Sequence, residues 1–145
     1  MPLKDWLAWG WLTEHRASRD EIQKLLAVAD RDLEQSAAEG LGADWRLAIA
    51  YNAALQCATA ALTAAGYRAT REAHHLRVIQ SLEFTLGWSA SDVAYLDSFR
   101  RKRHTVGYEQ VGSVSDEEAE EMQRLARQLR REAESWLSTN HPELR

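Results

Sequence analysis

Arg100, Arg101, Lys102, Arg103 and His104 are five consecutive basic or titratable side chains, and they are the residues in this chain best suited to chemistry. Titratable groups beside fixed positive charge suit proton transfer and the binding of an anionic group. Histidine titrates nearest neutrality, which makes His104 the candidate base or acid. Arg103 and Arg100 offer forked guanidiniums to a phosphate. Tyr108 can donate a hydrogen bond, although an ordinary tyrosine pKa of about 10 makes a poor base. The catalytic candidates are therefore Arg103, His104 and Tyr108. Arg100, Arg101 and Lys102 are candidates for binding. A plainer reading also fits, since basic residues are favoured at a helix C-terminus for its dipole.

These residues need a helix to position them. Residues 91–109 read as one helix that begins apolar and ends basic. Leu96, Phe99, Arg103 and Val106 fall at steps of three, four and three and share one face. That spacing predicts Arg103 inside an apolar stripe. An unpaired guanidinium there would be costly, so a polar network with Glu83 or Asp97 is expected. Arg100, His104 and Tyr108 lie at i, i+4 and i+8 on a neighbouring strip.

The chain has 145 residues, enough for one domain, and a net charge of −4, which excludes a general nucleic-acid coat. A domain of this size buries roughly 70% of its unfolded surface and needs no disulfide or metal. Cys57 is the one cysteine and reads as a small buried apolar group. His74 and His75 are adjacent on a helix, about 100° apart, and make a poor metal pair. Neither a metal nor a cofactor is expected. No signal peptide or membrane-span length is apparent, so a cytoplasmic, non-membrane protein is expected.

Helical periodicity predicts an all-α, up-and-down antiparallel bundle of five main helices behind a short N-terminal helix. It forms a single domain with a core over residues 18–138. Residues 1–17 read as a Trp-rich helix carrying Trp6, Trp9 and Trp11, which docks on the bundle or seals a subunit interface. Ser18 and Glu21 make a capping box for the second helix, which runs to about Glu39. Asp44 caps a third, alanine-rich helix that ends at Gly66. Its face is Ala48, Tyr51, Leu55, Ala58 and Leu62. Thr70 starts a fourth helix, with His75, Ile79, Leu82 and Leu86 on one stripe. Ser89 or Ser91 caps the fifth, basic-ended helix. Gly107 and Gly112 bracket a break. Ser115 and Glu118 open a sixth helix with Met122, Leu125, Leu129 and Trp136 inward. Arg124, Arg127, Arg130 and Arg131 are expected to pair with Glu117, Glu120 and Glu121 on its solvated face. Residues 139–145 read as a frayed tail, and no β-strand pattern is found.

In order, AYNAALQCATAALTAAGYR, REAHHLRVIQSL and LDSFRRKRHTVGYE resemble the HEPN domain, a family of small all-helical bundles. The resemblance covers roughly residues 18–138. It implies a homodimer. In many members it implies a metal-independent ribonuclease toxin paired with a nucleotidyltransferase-type antitoxin. The family's catalytic motif is an Arg, a polar residue and then a His after four to six intervening positions. Alignment places Arg103 on the Arg and His104 on the polar residue. The motif His would fall at Tyr108, Glu109 or Gln110, none of which is histidine. From Arg100, His104 comes one position early.

Two functions follow from different classes. One is a HEPN-like dimeric binding or regulatory module that holds RNA, a nucleotide or a partner protein at the basic end of the fifth helix. The other is a ribonuclease toxin with a shifted site. A helix-turn-helix DNA binder is a distant third, because the basic residues stand at the wrong end of the helix.

Overall fold

The long alanine-rich helix predicted at the centre of the chain is the axis of the fold. The structure is a computed structural model and describes residues 2–105 and 114–145. Its helices are α1 (Pro2–Ala8), α2 (Arg19–Ser36), α3 (Ala43–Ala64), α4 (His74–Gln80), α5 (Leu82–Thr85), α6 (Ala90–Thr105) and α7 (Asp116–Asn140). The expected all-α bundle is the architecture. Gly107, Gly112, Val106 and Tyr108 lie outside the described residues.

α3 packs between α2 and α7. Its alanines at 50, 53, 54, 58, 60 and 61 are all fully buried. Small side chains on every side let helices close in from several directions. Cross-links fix the directions. Asn52 donates to Asp32 at 2.6 Å, Gln123 donates to the Ser36 carbonyl at 2.5 Å, and Arg46 at the start of α3 pairs with Asp116 at the start of α7. Hence α2 runs antiparallel to both α3 and α7. Lys102 reaches Glu118 at 3.3 Å and Trp88 donates to Glu132 at 2.8 Å, so α6 also runs against α7. This is the up-and-down order. One expectation fails here. α3 does have the length and apolar composition of a membrane span, but 72% of that stretch is buried inside the bundle, as in a core helix.

Local chemistry explains most helix ends. Ser115 and Glu118 form the full reciprocal capping box, with both bonds at 3.0 Å. Ser89 caps α6 by accepting from the Asp92 amide. Ser18 accepts from the Glu21 amide, but the Glu21 carboxylate turns to His15 at 2.8 Å instead of reaching back. Asp44 does not cap α3, whose cap is Gly42.

Several expectations are corrected. The N-terminal helix stops at Ala8, and Gly10, at φ +81°, turns the chain into a strand, β1 (Leu12–Glu14). β1 pairs antiparallel with β2 (Tyr67–Ala69), which follows Gly66 at φ +103°. Three-residue strands are too short for alternation to show in the sequence. The fourth helix begins at His74 rather than Thr70, after Ala73 in the left-handed region at φ 51°, and it is divided into α4 and α5. The α7 face is paired differently. Arg130 reaches across to Asp30 of α2 at 2.8 Å, because it stands on the α2 side of the helix. The C-terminal tail is ordered as a 3-10 turn, with Leu144 packed on the core and Arg145 held by Glu134 at 3.1 Å.

Candidate functional site

Three elements bring polar groups to one end of the bundle. α3 supplies Tyr51, α4 supplies His74 and His75, and α6 supplies Asp97, Arg100 and Arg103. Tyr51 is only 2% exposed, and its hydroxyl has no hydrogen-bond partner among the described residues. Its ring lies 6.3 Å from that of His75, and His75 lies 5.9 Å from His74. Arg100 is half-buried and donates through Nε to Asp97 at 2.5 Å. Arg103 is exposed and makes no ion pair among the described residues.

Electrostatics tie these groups together. Burial pushes the Tyr51 phenol up to about 12, against the opposing pull of Arg100 and Arg103. Tyr51 is therefore a neutral donor at any physiological pH. His75 is lowered, first by desolvation and then by the charges of His74, Arg103 and Arg100. Its imidazole therefore stays neutral nearer to acid than an ordinary histidine. The result is a neutral imidazole and a buried phenol near two guanidiniums, of which Arg100 is paired with Asp97 and Arg103 has no ion pair among the described residues. An oxyanion is a group that a guanidinium such as Arg103 binds well.

The sequence-predicted residues divide. Arg100 and Arg103 belong to the cluster. Arg101 lies 3.9 Å from Asp97 and Lys102 pairs with Glu118 on α7, and the charges that act on Tyr51 are those of Arg100, Arg103 and Asp97. His104 is exposed at the end of α6. Tyr108 lies outside the described residues. Arg103 is exposed, so it is not inside an apolar stripe: Leu96 and Phe99 are the last buried residues of α6 among its described side chains. Its network partner is not Asp97, which is taken by Arg100. Glu83 is exposed.

Periodicity missed Tyr51 and His75. Tyr51 reads as packing, and His75 reads as a core or interface residue, yet His75 is exposed. The available signal was Tyr51 itself, the one bulky hydroxyl on an alanine-lined helix. Among the described residues, no group of three or more His, Cys, Asp or Glu side chains could hold a metal ion.

The unpartnered phenol carries a prediction. An unsatisfied buried hydroxyl costs about 1–3 kcal/mol. Tyr51→Phe should therefore stabilise the free protein by about 1 kcal/mol, seen as a higher urea midpoint with an unchanged slope. A lower midpoint would mean that the hydroxyl has a partner in the free protein.

Fold and site together define an all-α bundle with a tyrosine-backed arginine and histidine cluster at one end. The sequence matches no family model and no curated protein.

Proposed function

We propose that this protein is a HEPN-like dimeric binding module that holds RNA through phosphate at the Arg100 and Arg103 end of α6. The observation that supports this most is Arg103, exposed and without an ion pair among the described residues, acting with Arg100 on a buried hydroxyl that has no partner among them. Guanidiniums grip phosphate in two-point contacts, and binding of this kind weakens as salt rises. The HEPN resemblance supports the dimer, and a nucleotidyltransferase-type antitoxin is the protein partner it implies.

One observation favours a second reading as a metal-independent ribonuclease: a neutral His75 beside two guanidiniums. In that reaction His75 takes the 2′-hydroxyl proton and the 2′-oxygen attacks phosphorus. The 5′-oxygen leaves with a proton taken from water, giving a 2′,3′-cyclic phosphate and a free 5′-hydroxyl. The family motif histidine is absent, which favours binding over cleavage.

One assay separates the readings. Fluorescence anisotropy of end-labelled RNA in EDTA should show saturable binding that falls with salt and is weakened by Arg103→Ala. Gel analysis of the same samples should show intact RNA. Cleavage that is lost in both His75→Ala and Arg103→Ala would make the protein a ribonuclease. No binding at low salt, or binding indifferent to Arg103→Ala, would remove the RNA reading. Light scattering that returns a monomer would remove the dimer.

A further inference from the structure

The aromatic residues near the N-terminus run up to the cluster. Trp6 is buried and meets Trp11 edge-on at 5.6 Å. The Arg77 guanidinium lies 3.5 Å from the Trp11 ring centre, so Trp11 is held from two directions. Trp9 meets Trp11 edge-on at 4.9 Å and remains 59% exposed. A tryptophan fixed on one edge and open to solvent is a preorganised stacking surface, because little rotamer freedom is left to lose on binding. Arg77 stands one turn after His74 on α4, on the same face. Arg77 donates to Gln80 at 3.1 Å, and its buried Nε has no partner among the described residues. Ring and cation contacts link Trp9 to Trp11 and Trp11 to Arg77, His74 stands one turn before Arg77 and neighbours His75, and the His75 imidazole feels the charge of Arg103. These links make one path from an open aromatic face to a cation.

We infer that this path is a binding track for single-stranded nucleic acid, with a base stacked on Trp9 and the backbone led past Arg77 to Arg103. The inference rests on the phosphate-binding reading of the cluster and extends it. Stacking on an aromatic face combined with cations along the backbone is how single strands are held without sequence preference. A duplex keeps its bases stacked inside and cannot offer one to Trp9.

The test uses the full chain and labelled 12-nucleotide RNA and DNA strands, an RNA duplex and a mononucleotide. CD and size-exclusion profiles confirm folding and oligomeric state. Trp9→Ala should weaken single-strand binding about tenfold with an unchanged salt slope, and Trp9→Phe should restore most of it. Loss on the RNA strand, the DNA strand or both supports the track and says which strand it takes. The duplex and the mononucleotide, which reach only the arginine end, should bind wild type and Trp9→Ala alike. If Trp9→Ala binds the 12-mers as wild type does while Arg103→Ala is impaired, the track is overturned and the arginine site stands. If neither variant differs from wild type, both readings fall. If Trp9→Ala splits a dimer, Trp9 is a subunit contact and the track is overturned.

Discussion

Replacing Arg100 and Arg103 together by alanine is expected to lower RNA affinity about 100-fold at near-physiological salt. Each guanidinium–phosphate contact contributes about 1.5 kcal/mol as a charge-assisted bond, or about tenfold. The two share one ligand, so their losses need not add strictly. The salt dependence should also flatten. Each phosphate contact on a single strand contributes about 0.7 to the logarithmic slope, and losing two removes about 1.4. The decisive control is Arg101→Ala with Lys102→Ala, which removes the same net charge from the same helix. Those side chains pair with Asp97 and Glu118, and the cations whose charge acts on Tyr51 are Arg100 and Arg103, so this variant should keep most of the affinity. Equal losses in the two variants would mean that the basic block acts as diffuse charge and that no built site exists. Arg103 is exposed, and its removal should leave the fold intact. Arg100 is tied to Asp97, so thermal melting of the double variant is a necessary companion.

The contrast between these two pairs shows what could be read in the sequence and what could not. The serine caps at Ser18, Ser89 and Ser115 are legible because capping depends on residues within one turn. The helix faces of α2 and α7 are legible because both helices bury one stripe and solvate the other. α3 is different. It is buried nearly all round, so periodicity has no contrast to read and cannot single out Tyr51 from the alanines. For α6, spacing states that Leu96, Phe99 and Arg103 share a face, but it does not state where that face leaves the bundle. Among the described side chains Phe99 is the last buried one of α6, and where burial stops depends on what packs against the helix, which lies outside the local sequence. His75 fails for the matching reason at the start of α4. It shares a stripe with Ile79 and Leu82, yet the chain has only just turned at Ala73 and the stripe is not yet covered. The site is therefore built where two apolar stripes run out. His75 of α4 lies 6.3 Å from the buried Tyr51 ring, and Arg100 and Arg103 of α6 act on its hydroxyl.

The second large effect tests the packing that sets this geometry. Ala53→Leu should cost about 2–3 kcal/mol, a fall in Tm of about 5–10 °C for a chain of this size. Arg46, Ala50, Ala53 and Cys57 follow steps of four, three and four along α3. Arg46 is bound to Asp116 at the start of α7, and Cys57 feels the charges of both Arg130 of α7 and Asp30 of α2. The strip therefore runs along α7 with α2 beside its Cys57 end. On α7, Ala119, Ala126 and Ala133 recur every seven residues, all fully buried. Alanine against alanine brings the helices together with no spare volume, and three added carbons must push them apart or strain the leucine rotamer. The displacement would not stay local. α6 hangs on α7 through Tyr95 to Glu121 at 2.7 Å and Lys102 to Glu118, while Tyr51 is fixed on α3. Parting α3 from α7 therefore shifts Arg100 and Arg103 against the phenol. RNA affinity should fall in Ala53→Leu even below its melting temperature, although position 53 touches no ligand. Ala27→Leu on the exposed side of α2 is the matched control and should change stability by less than about 0.5 kcal/mol. If Ala53→Leu melts with wild type, the close α3–α7 approach is wrong. If it melts early but binds RNA normally, the cluster does not depend on the spacing of these two helices.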